Sequence, residues 1–229
     1  MKYEITGGPD YGLLKVRFEA PGEHVVAESG AMVAMGPEIE IQTSARGGLL
    51  AAAKRKVLGG ESIFQNTFTA RAARQDLYLA PPPEGDLRSL DLAAGQTFFL
   101  QSGAYVAHIG DALGLDTKWG GVRGFFSGVG LFLLKLTGPG TVFFSSYGAL
   151  HAVQVGPEGY TADTGHVVGF TEGLNYGIRS FGGFKGLFLS GEGLVCDFNG
   201  SGTLYLQTRD PGLLADFLHA YRPVKGSSG

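Results

Sequence analysis

The sequence predicts an all-β protein built from three tandem, pseudo-threefold copies of one unit, closed by a short C-terminal helix. Three observations predict it: a recurring motif, strand-like alternation of apolar residues, and glycine at 39 of 229 positions. The motif Glu28-Ser29-Gly30-Ala31-Met32-Val33-Ala34-Met35 returns as Gln101-Ser102-Gly103-Ala104-Tyr105-Val106-Ala107-His108. It returns more loosely as Asp163-Thr164-Gly165-His166-Val167-Val168-Gly169-Phe170. Self-similarity along a chain marks copies of one supersecondary unit. A second matching piece is expected in each copy after a glycine-rich corner: Ser62-Ile63-Phe64, Thr141-Val142-Phe143 and Thr203-Leu204-Tyr205. Gly103 and Thr141 are as far apart as Gly165 and Thr203, whereas Gly30 and Ser62 are closer. The first copy is therefore expected to have a shortened middle.

The elements follow in order. Leu14, Val16 and Phe18 alternate with Lys15 and Arg17, which suits a half-buried strand. Ile39 and Ile41 alternate with Glu38 and Glu40 in the same way. Leu49 to Leu58, rich in Ala and Lys, is a candidate helix, although the other two copies favour strand or irregular structure there. Leu204 and Leu206 alternate with Tyr205 and Gln207. The glycine share is more than twice the usual level of about 7%. Tight corners need positive φ, which glycine supplies without a Cβ clash. Short strands with glycine corners point to a short double-stranded β-helix or a sandwich. Near the end, Asp210 is a plausible N-cap and Pro211 suits the first helical position. Leu213, Leu214, Phe217, Leu218 and Tyr221 then fall at helical spacing until Pro223. The expected organisation is repeat 1 over 1–72, repeat 2 over 73–148, repeat 3 over 149–209, a helix over 210–223 and a loose tail over 224–229.

Composition limits the function. Hydrophobic residues make up 44% and charged residues only 17%, below the usual quarter or so. A surface so low in charge is expected to be covered in part by another subunit. The net charge of −3 provides no basic field for nucleic acid or anionic lipid. The single cysteine, Cys196, forms no intrachain disulfide and sits among Leu194, Val195 and Phe198 like a core residue. Met1-Lys2-Tyr3-Glu4 lacks the apolar run of a signal peptide, so the cytoplasm is the expected compartment. The most apolar stretch runs from Val122 to Leu136. Arg123 and Lys135 bracket too few residues for a spanning helix of about 20. Phe125, Phe126, Leu131, Phe132 and Leu133 are therefore expected in a buried hairpin or subunit interface, with membrane contact as the alternative.

No catalytic constellation stands out. The chain has no G-x-S-x-G elbow, no P-loop and no H-E-x-x-H or paired C-x-x-C. His24, His108, His151, His166 and His219 lack the spacing of a metal cluster, so neither metal nor cofactor is expected. Candidate ligand contacts are Lys54 and Arg55 in the dense basic cluster, Trp119 beside Lys118, and Asp163 with His166. His166 stands where the other copies carry Ala31 and Ala104. The polar position Glu28, Gln101 and Asp163 reads most simply as an acceptor for turn amides.

Several segments together carry a family pattern. They include Gly47-Gly48-Leu49, Gly60-Glu61-Ser62 with Phe64, Leu79-Ala80-Pro81, Gly85-Asp86 and Asp163-Thr164-Gly165-His166. Gly182-Gly183-Phe184 and Gly202-Thr203-Leu204-Tyr205-Leu206-Gln207-Thr208 complete it. From about Tyr3 to Arg209 the chain resembles a broad prokaryotic family related to the mitochondrial biogenesis factors named for altered inheritance of mitochondria. The resemblance implies three tandem β-domains similar to the tryptophan RNA-binding attenuation protein. It implies no catalytic residue, and fold alone does not import RNA or tryptophan binding. The expected function is that of a non-enzymatic scaffold or interaction protein acting as a homo-oligomer, with a further protein partner also compatible. The alternatives are a small-molecule or nucleic-acid binding module with a cleft between repeats, and a peripheral membrane protein without a span.

Overall fold

Branched and aromatic residues alternating between glycine corners fold here into short antiparallel strands. The computed structural model describes residues 1–45, 64–116, 133–180, 194–219 and 221–222. The first strands are β1 (Lys2–Thr6), β2 (Leu13–Phe18), β3 (His24–Glu28), β4 (Met32–Met35), β5 (Ile39–Ala45), β6 (Phe64–Ala70) and β7 (Gln75–Leu79). Then come β8 (Leu87–Leu92), β9 (Thr97–Gln101), β10 (Tyr105–Ile109), β11 (Gly114–Asp116), β12 (Leu133–Thr137) and β13 (Gly140–Ser145). The last are β14 (Leu150–Val155), β15 (Tyr160–Asp163), β16 (Val167–Thr171), β17 (Leu174–Ser180), β18 (Leu194–Gly200) and β19 (Gly202–Gln207). One helix, α1 (Pro211–His219), follows.

These strands form four sheets, in the orders β1-β2-β7-β4, β5-β6-β3-β10-β13-β8, β11-β12-β9-β16-β19-β14 and β15-β18-β17. The second sheet is joined in its middle where β10 meets β3, with Ala107 opposite Ala27 and His108 opposite Val26. The third is joined where β16 meets β9, through Gly169–Leu100, Phe170–Phe99 and Thr171–Phe98.

Three apolar cores lie between the sheets. Leu14, Val16, Phe18, Leu77 and Leu79 of the first sheet meet Val25, Phe68 and Phe143 of the second. Tyr105, Val142 and Phe144 of the second meet Phe98, Leu134 and Leu136 of the third. Val167, Phe170 and Leu204 of the third meet Cys196 and Phe198 of the fourth. Strand β13 thus sends Phe143 to one core and Val142 and Phe144 to the next. A strand with cores on both faces needs no polar face.

The same reason changes the expected alternation in β19. Leu204 enters the third core, but Tyr205 packs edge-on against Phe98 and Phe144 of the second, at 5.6 and 5.3 Å. Gln207 is buried as well. The alternation holds in β2, where Leu14, Val16 and Phe18 are buried. In β5 Ile39 is buried but Ile41 is exposed, because β5 is an edge strand that runs past the core.

One sequence match does not survive. Phe64 opens β6, whose partners are β3 and β5. Thr141 and Thr203 lie in β13 and β19, whose partners are β10 with β8 and β16 with β14. In the first segment that role falls to β7, which pairs with β4 and β2. The stretch from Gly30 to β7 is longer than that from Gly103 to β13. Apolar triplets after glycine open several strands, and only their partners tell them apart. The candidate helix over 49–58 and the tail over 224–229 lie outside the described residues.

The C-terminal helix forms as its cap requires. Asp210 Oδ1 accepts the Gly212 amide at 2.7 Å, and its carbonyl accepts the Leu214 amide at 3.2 Å. No residue of the helix is buried, and Leu213, Leu214, Phe217 and Leu218 are exposed.

Candidate functional site

Asp163 and His166 flank a short 3₁₀ turn over Thr164–His166 between β15 and β16. Asp163 Oδ1 accepts the Gly165 amide at 2.7 Å. His166 Nδ1 donates to the Gln207 carbonyl at 2.8 Å, since a carbonyl only accepts. Gln207 Nε2 donates back to the Gly165 carbonyl at 2.9 Å. The His166 and Gln207 side chains thus tie the turn to β19, while Asp163 braces the turn itself.

The other candidate contacts are not brought to this place by any described contact. Lys54, Arg55, Trp119, Phe125, Phe126, Leu131 and Phe132 lie outside the described residues, between β5 and β6 or between β11 and β12. Leu133, in β12, pairs with Gln101 of β9 and is buried in the third core with Phe170 and Phe198, the buried branch of its expectation and not the subunit or membrane contact. Cys196 is buried there too, and burial pushes its thiol up to about 12.

Polar groups elsewhere are satisfied. A shallow cleft of about 770 Å³ runs along Ile5–Pro9 and Asp86–Ser89. Its buried carboxylate, Asp86, accepts from the Leu87 amide at 2.9 Å and from Arg88 Nε at 2.9 Å. The Tyr105 hydroxyl is shared at the β3–β10 junction. Gln65 Nε2 donates to it at 3.1 Å, the Val26 carbonyl lies at 3.2 Å and His108 Nδ1 at 2.7 Å. Sequence reasoning missed this network, although Tyr105 and His108 are where the second motif copy departs from the apolar residues of the others. Among the described residues no buried side-chain polar atom lacks a partner and no cluster could hold a metal ion. No helix among them is long and apolar enough to cross a membrane.

Among the described residues, two sheet edges stand open where their counterparts are covered. Strands β4, β10 and β16 each pair with β7, β13 or β19 and carry a bulge at the same motif position, Met32/Ala34, Tyr105/Ala107 and Val167/Gly169. On their other side β10 meets β3 and β16 meets β9, whereas β4 ends its sheet. The exposure differs accordingly. Val106 is 1% and Val168 0% exposed, but Val33 is 59% exposed, with Met32 at 41% and Met35 at 39%. Strand β15 pairs with β18 on one side and, among the described residues, ends its sheet on the other. Its Tyr160 is 42% exposed, while Val25 of β3 and Phe98 of β9 are fully buried. The remaining edges, β5, β11, β17, β1, β8 and β14, have no interior counterparts of this kind. A bare strand edge offers unpaired backbone groups to another chain.

Beside these edges the charges are already paired. Arg179 donates to Asp197, as does Thr161 at 2.6 Å, holding that carboxyl below the usual carboxylate range. Arg17 grips Asp76 through two bonds of 2.7 Å with the same effect.

The sheets and their bare edges define an all-β protein of facing antiparallel sheets, with no metal-ligating cluster among the described residues. The chain belongs to the mitochondrial biogenesis AIM24 family, whose model matches residues 3–209. It is 28% identical over 236 residues to a protein of Streptococcus pyogenes serotype M6 described as uncharacterised, covering 99% of this chain and 93% of that one. A crystal structure of a Streptococcus pyogenes protein superposes with a TM-score of 0.80 at 27% identity, covering 96% of this chain and 99% of the other.

Proposed function

We propose that this protein is a non-enzymatic scaffold that acts as a homo-oligomer, its chain made of three tandem copies of one β-unit. The single observation that carries the oligomer is the exposure of Met32, Val33 and Met35 on β4, where β10 and β16 are covered. The repeat is supported by pairing: β2–β7, β8–β13 and β14–β19 correspond, as do β3–β6, β9–β12 and β15–β18. In this reading the first unit includes β7 and ends in the proline-rich Ala80–Asp86 link rather than at residue 72. The likeness to the tryptophan RNA-binding attenuation protein fold, the pseudo-threefold arrangement and action in the cytoplasm belong to the same reading.

A second reading, membrane association, is favoured by the uncovered apolar residues of α1. Light scattering with and without mild detergent separates the two. The scaffold reading predicts a defined multiple of 24.0 kDa that detergent leaves unchanged. A 24.0 kDa monomer that floats with lipid vesicles overturns it and favours the membrane.

A further inference from the structure

We infer that β4 of one copy pairs with β15 of the next, completing a joint that the chain makes twice within itself. The inference rests on the three-unit oligomer reading and adds the partner, the strands and the register. Both internal joints link the β3/β9/β15 strand type of one unit to the β4/β10/β16 strand type of the following unit, β3 to β10 and β9 to β16. Among the described residues nothing lies against the free side of β4 or of β15. Each edge therefore lacks the element that the other end of the chain carries.

The register follows from the two made joints. In each, the residue after the bulge, Ala107 or Gly169, lies opposite the penultimate residue of its partner strand, Ala27 or Leu100. Applied to the open edges, this sets Ala34 opposite Ala162, Met35 opposite Thr161 and Gly36 opposite Tyr160. The first pair repeats the Ala107–Ala27 pair. The exposed Val33 then gains the cover that Val106 and Val168 have. Asp163, in β15 itself, accepts the Gly165 amide, and Asp76 and Asp197 on the neighbouring strands already hold Arg17 and Arg179, so these carboxylates keep their partners when the edges join. The chain's own β4 and β15 stay in separate sheets, which leaves a second copy as the occupant. Such a head-to-tail joint closes a ring or extends as a fibre, and a ring would hold a whole multiple of three units.

Cysteine pairs test it. Facing residues of an antiparallel pair sit about 4.5–5.5 Å apart between Cα atoms, alternating between the two spacings, within disulfide reach. Met35→Cys is mixed with Thr161→Cys, and separately Ala34→Cys with Ala162→Cys, then oxidised and run without reductant. Each variant alone is the control, and Cys196 is buried. The joint predicts a dimer-mass band from at least one mixture, and a ladder when both cysteines share one chain. A disulfide formed within a single chain overturns the proposal. A stable oligomer with no cross-link in either mixture overturns the joint and leaves the oligomer reading standing. Wild-type protein of monomer mass overturns both.

Discussion

Lysine placed at one position of the recurring motif, in each of its three occurrences, should give one tolerated and two destructive variants. Val33, Val106 and Val168 are counterparts, but only Val33 is exposed, at 59%. Val33→Lys should cost the isolated chain no more than about 0.5 kcal/mol, as ordinary surface changes do. Val106→Lys and Val168→Lys remove a buried valine and put an ammonium into an apolar core. That costs several kcal/mol, which at about 2–4 °C per kcal/mol lowers the melting temperature by roughly 10 °C or more. Assembly should respond in the opposite sense. Covering a whole valine is worth about 1.5–3 kcal/mol, so covering the exposed part of Val33 is worth about 1–2. Its loss weakens each joint roughly 5- to 30-fold, before the penalty of burying the new charge. The assay is urea unfolding at nanomolar protein, where assembly contributes least, beside light scattering at micromolar protein. The reasoning is refuted if Val33→Lys unfolds as readily as Val106→Lys, or if it keeps the full oligomer mass.

Three more outcomes follow from the chain itself. Tyr105→Phe removes the hydroxyl that Gln65, His108 and the Val26 carbonyl share; it should cost about 1–3 kcal/mol in urea unfolding, and a loss under about 0.5 would deny the network a role. The carboxyls of Asp76, Asp197 and Glu23 are held low by bonds from Arg17, Arg179 and the N-terminal ammonium. Groups with depressed native values contribute stability above their unfolded values, about 3.9–4.3, and lose it as pH falls through the native ones. The urea midpoint should thus stay level from about pH 7 to 5 and drop below about pH 4; a drop between 7 and 5 would point to other groups. Cys196, buried and raised to about 12, should resist thiol reagents in the native protein and react only on unfolding, as a timed labelling assay would show.

Local features were legible in the sequence and partners were not. The alternation of β2 and the Asp210 cap of α1 depend on neighbours a few residues away. Asp163 could be read as an acceptor for turn amides because its partner, Gly165, is two residues on. Which strand Phe64 belongs to depends on β3 and β5, and nothing in an apolar triplet encodes them. The doubly buried faces of β13 and β19 were hidden because a strand cannot announce a core on each side. The open edge was hidden for a related reason. Met32-Val33-Ala34-Met35 looks as apolar as Val167-Val168-Gly169-Phe170, and its place on the edge of the first sheet leaves it exposed.

Hydrogen exchange along the wild-type chain, followed as a function of protein concentration, tests the central claim most directly. The account predicts that the outward amides of Met32–Met35 and Tyr160–Asp163, those not bonded to β7 or β18, are protected like those of β10 and β16 at high concentration. On dilution the outward amides of these two segments alone should lose that protection together. Fast exchange of these amides in both segments at every concentration, or protection of them that persists at nanomolar protein, would contradict it.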